Sequence, residues 1–326
     1  MTEPKIREVA AGVYLIHLPL PMRPTIVNVY LVRDGDEWAL VDTGVNSGDS
    51  IHTLETALHS VGCAPSQVKQ IICTHHHPDH FGTSKTIKQL TGARLLMHRA
   101  EFERSHTFAP QERPAEAVRF FDACGIPIER FVHIPSPAEF WSGLYVTTVP
   151  DGFIDDGDVL RVGEREIEVI WTPGHAPGHC VLYLRKEKIL IVGDHLLPKI
   201  TPHVGYFPGG ADDPLGDFIA SQRKVQKFDV NLVLPAHGGV FTDHRHRANQ
   251  IIQHHEYRMR EMLDFIRHAA HTGYEVAKHA FAMDETSPLT VQFPATFETL
   301  AHLEHLIVRN AVVKETRGDR VYYRGR

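Results

Sequence analysis

Cysteine is scarce in this chain, and the cysteines that do occur are not paired in the sequence. Cys63, Cys73, Cys124 and Cys180 are the only four among 326 residues, and no CxxC spacing occurs. This arrangement excludes a disulfide-rich scaffold or a cysteine-based zinc site, so we expect buried, reduced thiols. Reduced thiols are typical of the cytoplasm, and a cytoplasmic location is therefore expected.

Long apolar runs are also missing. No stretch approaches the roughly 18 apolar residues that a membrane-spanning helix requires. The first ten residues, MTEPKIREVA, are charged and lack the apolar centre of a signal peptide. The sequence therefore predicts no membrane association.

The chain also lacks an excess of positive charge. The formal net charge is −6 and the isoelectric point is about 6.5, so no global field would attract nucleic acid or an anionic membrane. With 42% hydrophobic and 23% charged residues, the composition is that of a soluble globular protein. The length predicts one large domain of roughly 200–250 residues and a smaller module.

Histidine, by contrast, is abundant, with 24 in the chain. The densest cluster is CTHHHPDHFG at residues 73–82, directly after the apolar strand predicted at 68–73. Abundance alone does not distinguish a metal site from a solvated polar turn. The positions of the side chains along the sequence are needed to distinguish these two possibilities.

The spacing within this cluster separates two pairs of side chains. His75 and His77 lie two residues apart at the end of an extended strand, so both project to one side. Asp79 and His80 follow a proline, and the turn there directs them toward a second point. His76 alternates away from the first pair and is the weakest candidate ligand. One His–His pair and one Asp–His pair suit two adjacent cations with nitrogen and oxygen ligands.

Two cations need further ligands, and three later strand ends supply candidates. His175 lies in WTPGHAPGH, Asp194 in LIVGDH and His237 in VLPAHGG, each after an apolar strand and close to glycine. Polar side chains at strand ends beside glycine are typical of a site on a rigid sheet edge.

The order of elements predicts an α+β protein with two parts. Short β runs with helices between them, repeated twice over residues 1–243, predict two β-rich halves with helices on their outer faces. Residues 99–143 are an aromatic-rich, mostly helical insert. From 244 to 326 the pattern changes to a long helix over 245–270, a second helix through 297–310 and a β-hairpin, which is typical of a winged helix-turn-helix module.

HHHPDH matches the HxHxDH signature of the metallo-β-lactamase superfamily, and His175, Asp194 and His237 match its remaining ligand motifs in order. VDTG at 41–44 also resembles the early aspartate motif of that family. The resemblance covers about residues 10–240 and implies an αββα sandwich. The phrases GDHLLPKITPHVG and HHEYR, with the C-terminal pattern, resemble a subgroup of β-lactamase-like proteins that carry a C-terminal winged helix and include an endoribonuclease-like branch.

The resemblance also implies a division of the candidate ligands. One ion would be held by His75, His77 and His175. A second would be held by Asp79, His80 and His237, with Asp194 bridging the two. The ligand types suit two Zn²⁺ ions best, although iron or manganese fits the same set.

Four further polar residues near these motifs are interpreted as supporting groups. Asp42 and His179 are expected to be hydrogen-bonding partners rather than ligands. His195 and His203 are expected to be polar groups of the pocket or surface.

Such a centre predicts hydrolysis. A water molecule bridging two divalent ions ionises near neutral pH, and the ions polarise the carbonyl or phosphoryl oxygen that it attacks. Asp79 is placed to orient this nucleophile and to shuttle its proton. Tyr206, in the loop 196–212, is predicted to assist the oxyanion or the leaving group. This loop and the insert 99–143 are expected to determine substrate selectivity.

Several branches of the family are disfavoured. Class B β-lactamases usually lack the bridging carboxylate, and flavodiiron proteins usually have Glu in place of His77. RNA-processing members carry a large domain between the last ligands, whereas only 43 residues separate Asp194 from His237 here. The favoured function is hydrolysis of an ester, a thioester or a lactone, which are small-molecule substrates.

Two alternatives stay open. The first is a phosphodiesterase or endoribonuclease that contacts nucleic acid through residues 301–326, whose net charge is +3. The second, from another class, is a winged-helix binding protein whose metal domain senses a ligand. For the C-terminal segment itself, packing or formation of a homodimer is favoured over nucleic-acid binding.

Overall fold

Two β-sheets packed face to face organise most of the structure. The structure is a computed structural model that describes residues 6–107, 114–127, 144, 148–284 and 286–326. The first sheet has seven strands in sequential order, antiparallel from β1 to β4 and parallel from β4 to β7. Its strands are β1 (Ile6–Ala10), β2 (Val13–Pro19), β3 (Ile26–Asp34), β4 (Glu37–Val41), β5 (Val68–Ile72), β6 (Arg94–His98) and β7 (Gly152–Ile154).

The second sheet has five strands in the order β12-β11-β10-β9-β8. All neighbours are antiparallel except β11 and β12, which are parallel. The parallel pair ends at the same edge, where polar side chains follow both strands. The strands are β8 (Val159–Val162), β9 (Arg165–Trp171), β10 (Cys180–Leu184), β11 (Ile189–Gly193) and β12 (Leu232–Pro235).

Strand β10 shows how the second sheet is buried on both faces. All five of its residues are buried. Leu182 and Leu184 pack between the two sheets, in a cluster that includes Leu15 of the first sheet. Val181 and Tyr183 point the other way, into the cluster beneath the covering helices. The alternation follows from the two-residue period of a strand, and a sheet buried on both faces has no polar side.

Helices cover the outer face of each sheet, so the layers run helix, sheet, sheet, helix, as predicted. On the first sheet, Leu54 and Ile87 pack against Leu40. On the second sheet, Phe218 and Ile251 pack in the same cluster as the outward side chains of β10. The helices are α1 (Gly48–Ser60), α2 (Pro78–Phe81), α3 (Ser84–Thr91), α4 (Arg99–Thr107), α5 (Pro114–Ala123), α6 (Pro214–Val225), α7 (His244–Phe265), α8 (Gly273–Ala280) and α9 (Leu289–Val308), with a 3-10 turn at Pro65–Gln67.

The C-terminal elements form a small helical unit with a three-stranded sheet. After α7 come β13 (His271–Thr272), α8, α9, β14 (Val312–Arg317) and β15 (Arg320–Gly325), with strand order β13-β15-β14. Leu300 and Tyr323 belong to the same hydrophobic cluster as the outer face of the second sheet. This unit therefore shares its core with the layer that covers that sheet.

The second C-terminal helix begins earlier than the predicted 297. Helix α9 starts at Leu289 and continues through Pro294, although a proline normally ends or kinks a helix. Gln292, in the turn before the proline, is buried and accepts a hydrogen bond of 2.7 Å from the Tyr274 hydroxyl. This packing holds the turn in place despite the proline.

Three further expectations concern the cysteines, the insert and the membrane. The four cysteines are free and buried, as predicted. Much of the insert 99–143 lies outside the described residues. Among the residues that the structure describes, no helix has the length and apolar character needed to cross a membrane.

We expect Leu182→Ala to lower the free energy of unfolding by about 2–5 kcal/mol, because it opens a cavity between the sheets. Val308→Ala, at a side chain that is 59% exposed, is the control and should change stability by less than about 0.5 kcal/mol. Urea denaturation measures both values. Equal unfolding midpoints for the two variants would contradict the assignment of Leu182 to the inter-sheet core.

Candidate metal centre

The structure brings all seven predicted ligands together. They form two neighbouring groups, and within each group the potential ligand atoms lie within 4.8 Å of one another. The members of both groups lie on segments that follow strands β5, β9, β11 and β12. The first group is His75, His77, His175 and Asp194, and the second is Asp79, His80 and His237.

Three imidazoles converge in the first group. The Nε2 atom of His175 lies 3.3 Å from Nε2 of His75 and 3.0 Å from Nδ1 of His77. Nε2 of His75 lies 3.0 Å from the same Nδ1. Three ring nitrogens this close to one another form an arrangement that a single cation between them would stabilise.

In the second group, the carboxylate of Asp79 lies between two imidazoles. Its Oδ2 atom is 3.7 Å from Nε2 of His80 and 3.3 Å from Nε2 of His237. The side chain of Asp79 is 25% exposed, whereas that of His80 is fully buried. Asp79 is therefore the member of this group that faces solvent most.

Asp194 lies between the two groups. Its Oδ2 is 3.6 Å from Nε2 of His175, while its Oδ1 is 3.6 Å from Nε2 of His80 and 3.5 Å from Nε2 of His237. One carboxylate thus directs one oxygen toward each group.

Hydrogen bonds on the far side of each ring determine which nitrogen carries the proton. The Nδ1 atom of His175 donates to the backbone oxygen of His203 at 2.7 Å, and Nδ1 of His237 donates to that of Ile26 at 3.1 Å. In a neutral imidazole the other nitrogen, Nε2, then carries a lone pair. Both lone pairs face the site, which is the orientation found in metal-binding histidines.

The Asp42 carboxylate supports both groups, as predicted. It accepts hydrogen bonds from the backbone N–H of Thr74 at 2.7 Å, from the Thr74 hydroxyl at 2.9 Å and from Nδ1 of His80 at 2.8 Å. The same hydroxyl lies 3.0 Å from Nδ1 of His75. Asp42 therefore orients one histidine directly and another through Thr74, a residue that sequence reasoning missed.

Burial keeps the three histidines of the first group neutral. It lowers the pKa of His75 and His77 well below the usual value, and neighbouring imidazoles lower both further. Burial also lowers the pKa of His175. Neutral rings have the lone pairs that a cation requires.

In the second group, and at Asp194 beside it, neighbouring charges outweigh the effect of burial on the pKa. Burial lowers the pKa of His80, but the carboxylates of Asp79, Asp42 and Asp194 outweigh this effect and hold the pKa well above its usual value. Burial raises the pKa of Asp194, but His237 and His80 outweigh it and the pKa lies well below normal. Positive charge is therefore favoured at this position.

Two buried polar atoms support the presence of a cation. Nε2 of His80 and Oδ1 of Asp194 are inaccessible to solvent and have no hydrogen-bond partner among the described residues. Leaving buried polar atoms unpaired is costly, and a metal ion satisfies both. The donor set of imidazole nitrogens and carboxylate oxygens fits a divalent cation.

The side chains of His179 and Thr74 lie very close to the glycine before Asp194. Gly193 has a φ of +49°, and a Cβ there would lie 2.7 Å from Nε2 of His179 and 2.9 Å from the Thr74 hydroxyl oxygen. A side chain would collide with both groups and would disfavour this backbone conformation.

Glu101 is a functional candidate that sequence reasoning missed. It is fully buried at the start of α4, pairs with Nδ1 of His76 and accepts hydrogen bonds from the backbone N–H groups of His76 and Gly178. It thereby joins the loop that carries the HxHxDH motif to the loop that carries His175. No spacing in the sequence signals this role, because the insert has no recognisable pattern at this position.

The other predicted supporting residues lie around the two groups. His179 accepts a hydrogen bond of 3.3 Å from the backbone N–H of Asp194, and its Nδ1 lies 2.9 Å from the Thr172 hydroxyl. His195 is buried. His203 contributes its backbone oxygen to His175, as described above, and its ring nitrogen Nε2 donates to the backbone oxygen of Pro294 at 3.0 Å.

Tyr206 lies toward the C-terminal unit. Its backbone N–H donates to the backbone oxygen of Phe297 at 3.0 Å, and Nζ of Lys314 lies 5.9 Å from its ring centre. Burial, and then the Glu304 carboxylate, raise the pKa of its hydroxyl. None of these contacts is with the two groups of candidate ligands, so its predicted catalytic role stays a prediction.

A comparison of the sequence with protein families identifies a family that is consistent with this fold and with these two groups of residues. Residues 22–237 match the family model described as the metallo-beta-lactamase superfamily. The match covers more than half of the chain, and the chain belongs to this superfamily. It is a metal-dependent hydrolase.

Two of three individual relatives match almost the whole chain, and the third matches about two thirds of it. A Bacillus subtilis protein named "Probable metallo-hydrolase YqjP" is 25% identical over 96% of this chain and 97% of its own length. A solved metallo-beta-lactamase family protein from Thermus thermophilus is 33% identical, with a TM-score of 0.82, and covers 98% of this chain and 100% of its own. The bovine acyl-coenzyme A thioesterase MBLAC2 is 25% identical over 66% of this chain and 74% of its own length.

We expect Asp42→Asn to weaken metal affinity by about 10–100-fold, because an amide cannot accept all the hydrogen bonds from Thr74 and His80. Asparagine tolerates the φ of +62° at this position, so the backbone is retained. Competition with a chelator measures the affinity. The exposed Asp49, changed to Asn, is the control, and equal affinity in the two variants would refute the role of Asp42.

Proposed function

We propose that the protein is a dinuclear hydrolase of esters, thioesters or lactones. The observation that supports this most is the position of Asp194, whose two oxygens face separate groups of ligands. In the proposed assignment His75, His77 and His175 hold one ion, and Asp194 bridges to a second. The second ion is held by Asp79, His80 and His237, and Zn²⁺ suits the ligand set best.

Divalent ions bound at these positions would supply Lewis acidity, which lowers the pKa of water and polarises a carbonyl oxygen. The chain contributes the surrounding groups. His175 and His80 are each oriented through their Nδ1 atoms by the His203 carbonyl and by Asp42. Asp79 is the most exposed group of its set, and we propose that it orients the attacking water and holds the proton that the water loses.

The substrate is proposed to bind beside α9. The backbone oxygen of His203 orients His175, and the His203 ring donates to Pro294 of α9, so this helix lies two hydrogen bonds from the centre. Next to it, the rings of Phe207 and Phe297 lie 4.8 Å apart. An apolar surface this close to the centre suits an acyl chain.

The relatives support the same substrate class. The bovine relative is named an acyl-coenzyme A thioesterase, and its name is consistent with a thioester as the reacting group. A thioester places an electrophilic carbonyl where the two groups of ligands converge, and it leaves a thiol that needs little assistance from an acid.

We infer that the C-terminal unit is a winged helix that packs on the catalytic part rather than a reader of nucleic acid. The order of its helices and its hairpin agrees with that module. Several of its cations already contact carboxylates: Arg317 lies 2.8 Å from Glu315, and Lys314 lies 2.5 Å from Glu304. Neutralised cations contribute little to phosphate binding. A phosphodiesterase or endoribonuclease is therefore the second candidate function.

We expect hydrolysis of acyl-coenzyme A, S-acylglutathione, aryl ester and lactone substrates to exceed hydrolysis of a phosphodiester or of RNA. His77→Ala and Asp194→Ala should both lower the bound metal and reduce kcat/KM by about 100-fold or more, which equals about 2.7 kcal/mol of transition-state stabilisation. His52→Ala, an exposed histidine of α1, is the control. Full turnover by the metal-depleted variants would refute the proposal, and RNA cleavage alone would favour the second candidate.

Charge reversal on the hairpin separates the two candidates directly. We expect Arg317→Glu combined with Arg324→Glu to leave thioester turnover unchanged, because both side chains are exposed and lie on the hairpin. Gel-shift titration with a single-stranded RNA, repeated at two salt concentrations, is the second measurement. Binding by the unmodified chain that is lost in the variant and weakened by salt would contradict a packing role.

A further inference from the structure

A second group of histidines lies between helices α7 and α9, away from the centre described above. His254 and His255 are adjacent on α7, and Glu298 lies on α9. One ligand atom of each lies within 4.8 Å of the others. His302, one turn further along α9, stands behind them, with its Nε2 3.0 Å from Nδ1 of His255.

The hydrogen bonds around these rings determine their tautomers. Nδ1 of His302 lies 2.7 Å from the backbone oxygen of Glu298, which can only accept, so this nitrogen carries the proton. Nε2 of His302 then accepts, and Nδ1 of His255 must donate to it. Nε2 of His255 is left with a lone pair. Burial lowers the pKa of both rings, to about 4 for His302, so both are neutral and the assignment holds near pH 7.

The lone pair on His255 has no partner. The residue is fully buried, and Nε2 has no hydrogen-bond partner among the residues that the structure describes. A buried acceptor left unpaired is costly, and a histidine whose other nitrogen donates to a neighbour is the usual form of a metal ligand. This atom is the observation that distinguishes the group from an ordinary packed cluster.

Glu298 places a half-buried carboxyl group at the same position. Burial raises its pKa to about 7, while Arg258 lowers it. Arg258 is also bound elsewhere, because its NH1 group lies 3.0 Å from Glu261 and donates to the backbone oxygen of Ala280. A bound cation beside this carboxyl group would favour its ionised form over its protonated form.

We propose that His254, His255 and Glu298 form a third cation site, which binds a divalent transition metal such as Zn²⁺ through two nitrogens and one oxygen. His302 is the residue that orients His255. The site is separate from the dinuclear centre, because the rings of Phe218 and His195 lie between His255 and His179.

A cation there joins α7 to α9. Helix α9 also carries Pro294, whose backbone oxygen receives the His203 ring. The site therefore fixes the helix that borders the proposed substrate surface, and its role is structural rather than catalytic.

Zn²⁺ stoichiometry tests this proposal on the full chain. The metal-depleted protein is dialysed against Zn²⁺, and bound metal is measured by elemental analysis. Glu298→Gln, which retains shape, and His254→Ala should each hold one ion fewer than the unmodified chain. His246→Ala, an exposed histidine of the same helix, is the control and should lose none.

A second arm separates this site from the dinuclear centre. In a triple variant with His77→Ala, His80→Ala and Asp194→Ala, which removes ligands of both proposed ions, Zn²⁺ should still bind at the third site and raise the melting temperature. Adding Glu298→Gln to that background should abolish the rise. Wild-type stoichiometry in both Glu298→Gln and His254→Ala, or a Zn²⁺-dependent rise that survives Glu298→Gln, would overturn the proposal whatever the outcome for hydrolysis.

Discussion

The hydrogen bonds accepted by Asp42 are the interactions on which the arrangement of the centre depends. One carboxylate directs His80 itself and directs His75 through the Thr74 hydroxyl, so it couples the two groups of ligands. It sits immediately after β4, with a positive φ that turns it back toward β5. The positions of two imidazoles therefore depend on one turn of the backbone.

That turn has this effect only because the two sheets are packed together. The candidate ligands come from segments that follow β5 in one sheet and β9, β11 and β12 in the other. The apolar layer between the sheets, which includes Leu15 and Leu182, sets how far apart those strand ends lie. Buried apolar contacts thus determine the distances in a polar site, and the helices outside protect both sheets from solvent.

The convergence of the seven candidate ligands was predictable because each is a side chain with a distinctive chemistry at a strand end. The strands were predictable as well, because apolar side chains alternate along them. Glu101 was not predictable, since a single glutamate in an irregular insert has no period or motif. The backbone oxygens of His203 and Ile26 orient ligands without any requirement on residue type. Helix α9 begins eight residues before the predicted 297, because tertiary packing around Gln292 outweighs the local tendency of Pro294 to end a helix.

The contact between His203 and Pro294 has a consequence for how this chain can be rearranged. A residue that orients a candidate ligand is itself bonded to the helix of the C-terminal unit. The two parts are therefore not interchangeable modules joined by a linker. A recombined protein could take its C-terminal unit from a distant relative. That unit would have to place a backbone oxygen where Pro294 has one, because His203 would otherwise shift and the orientation of His175 would change with it.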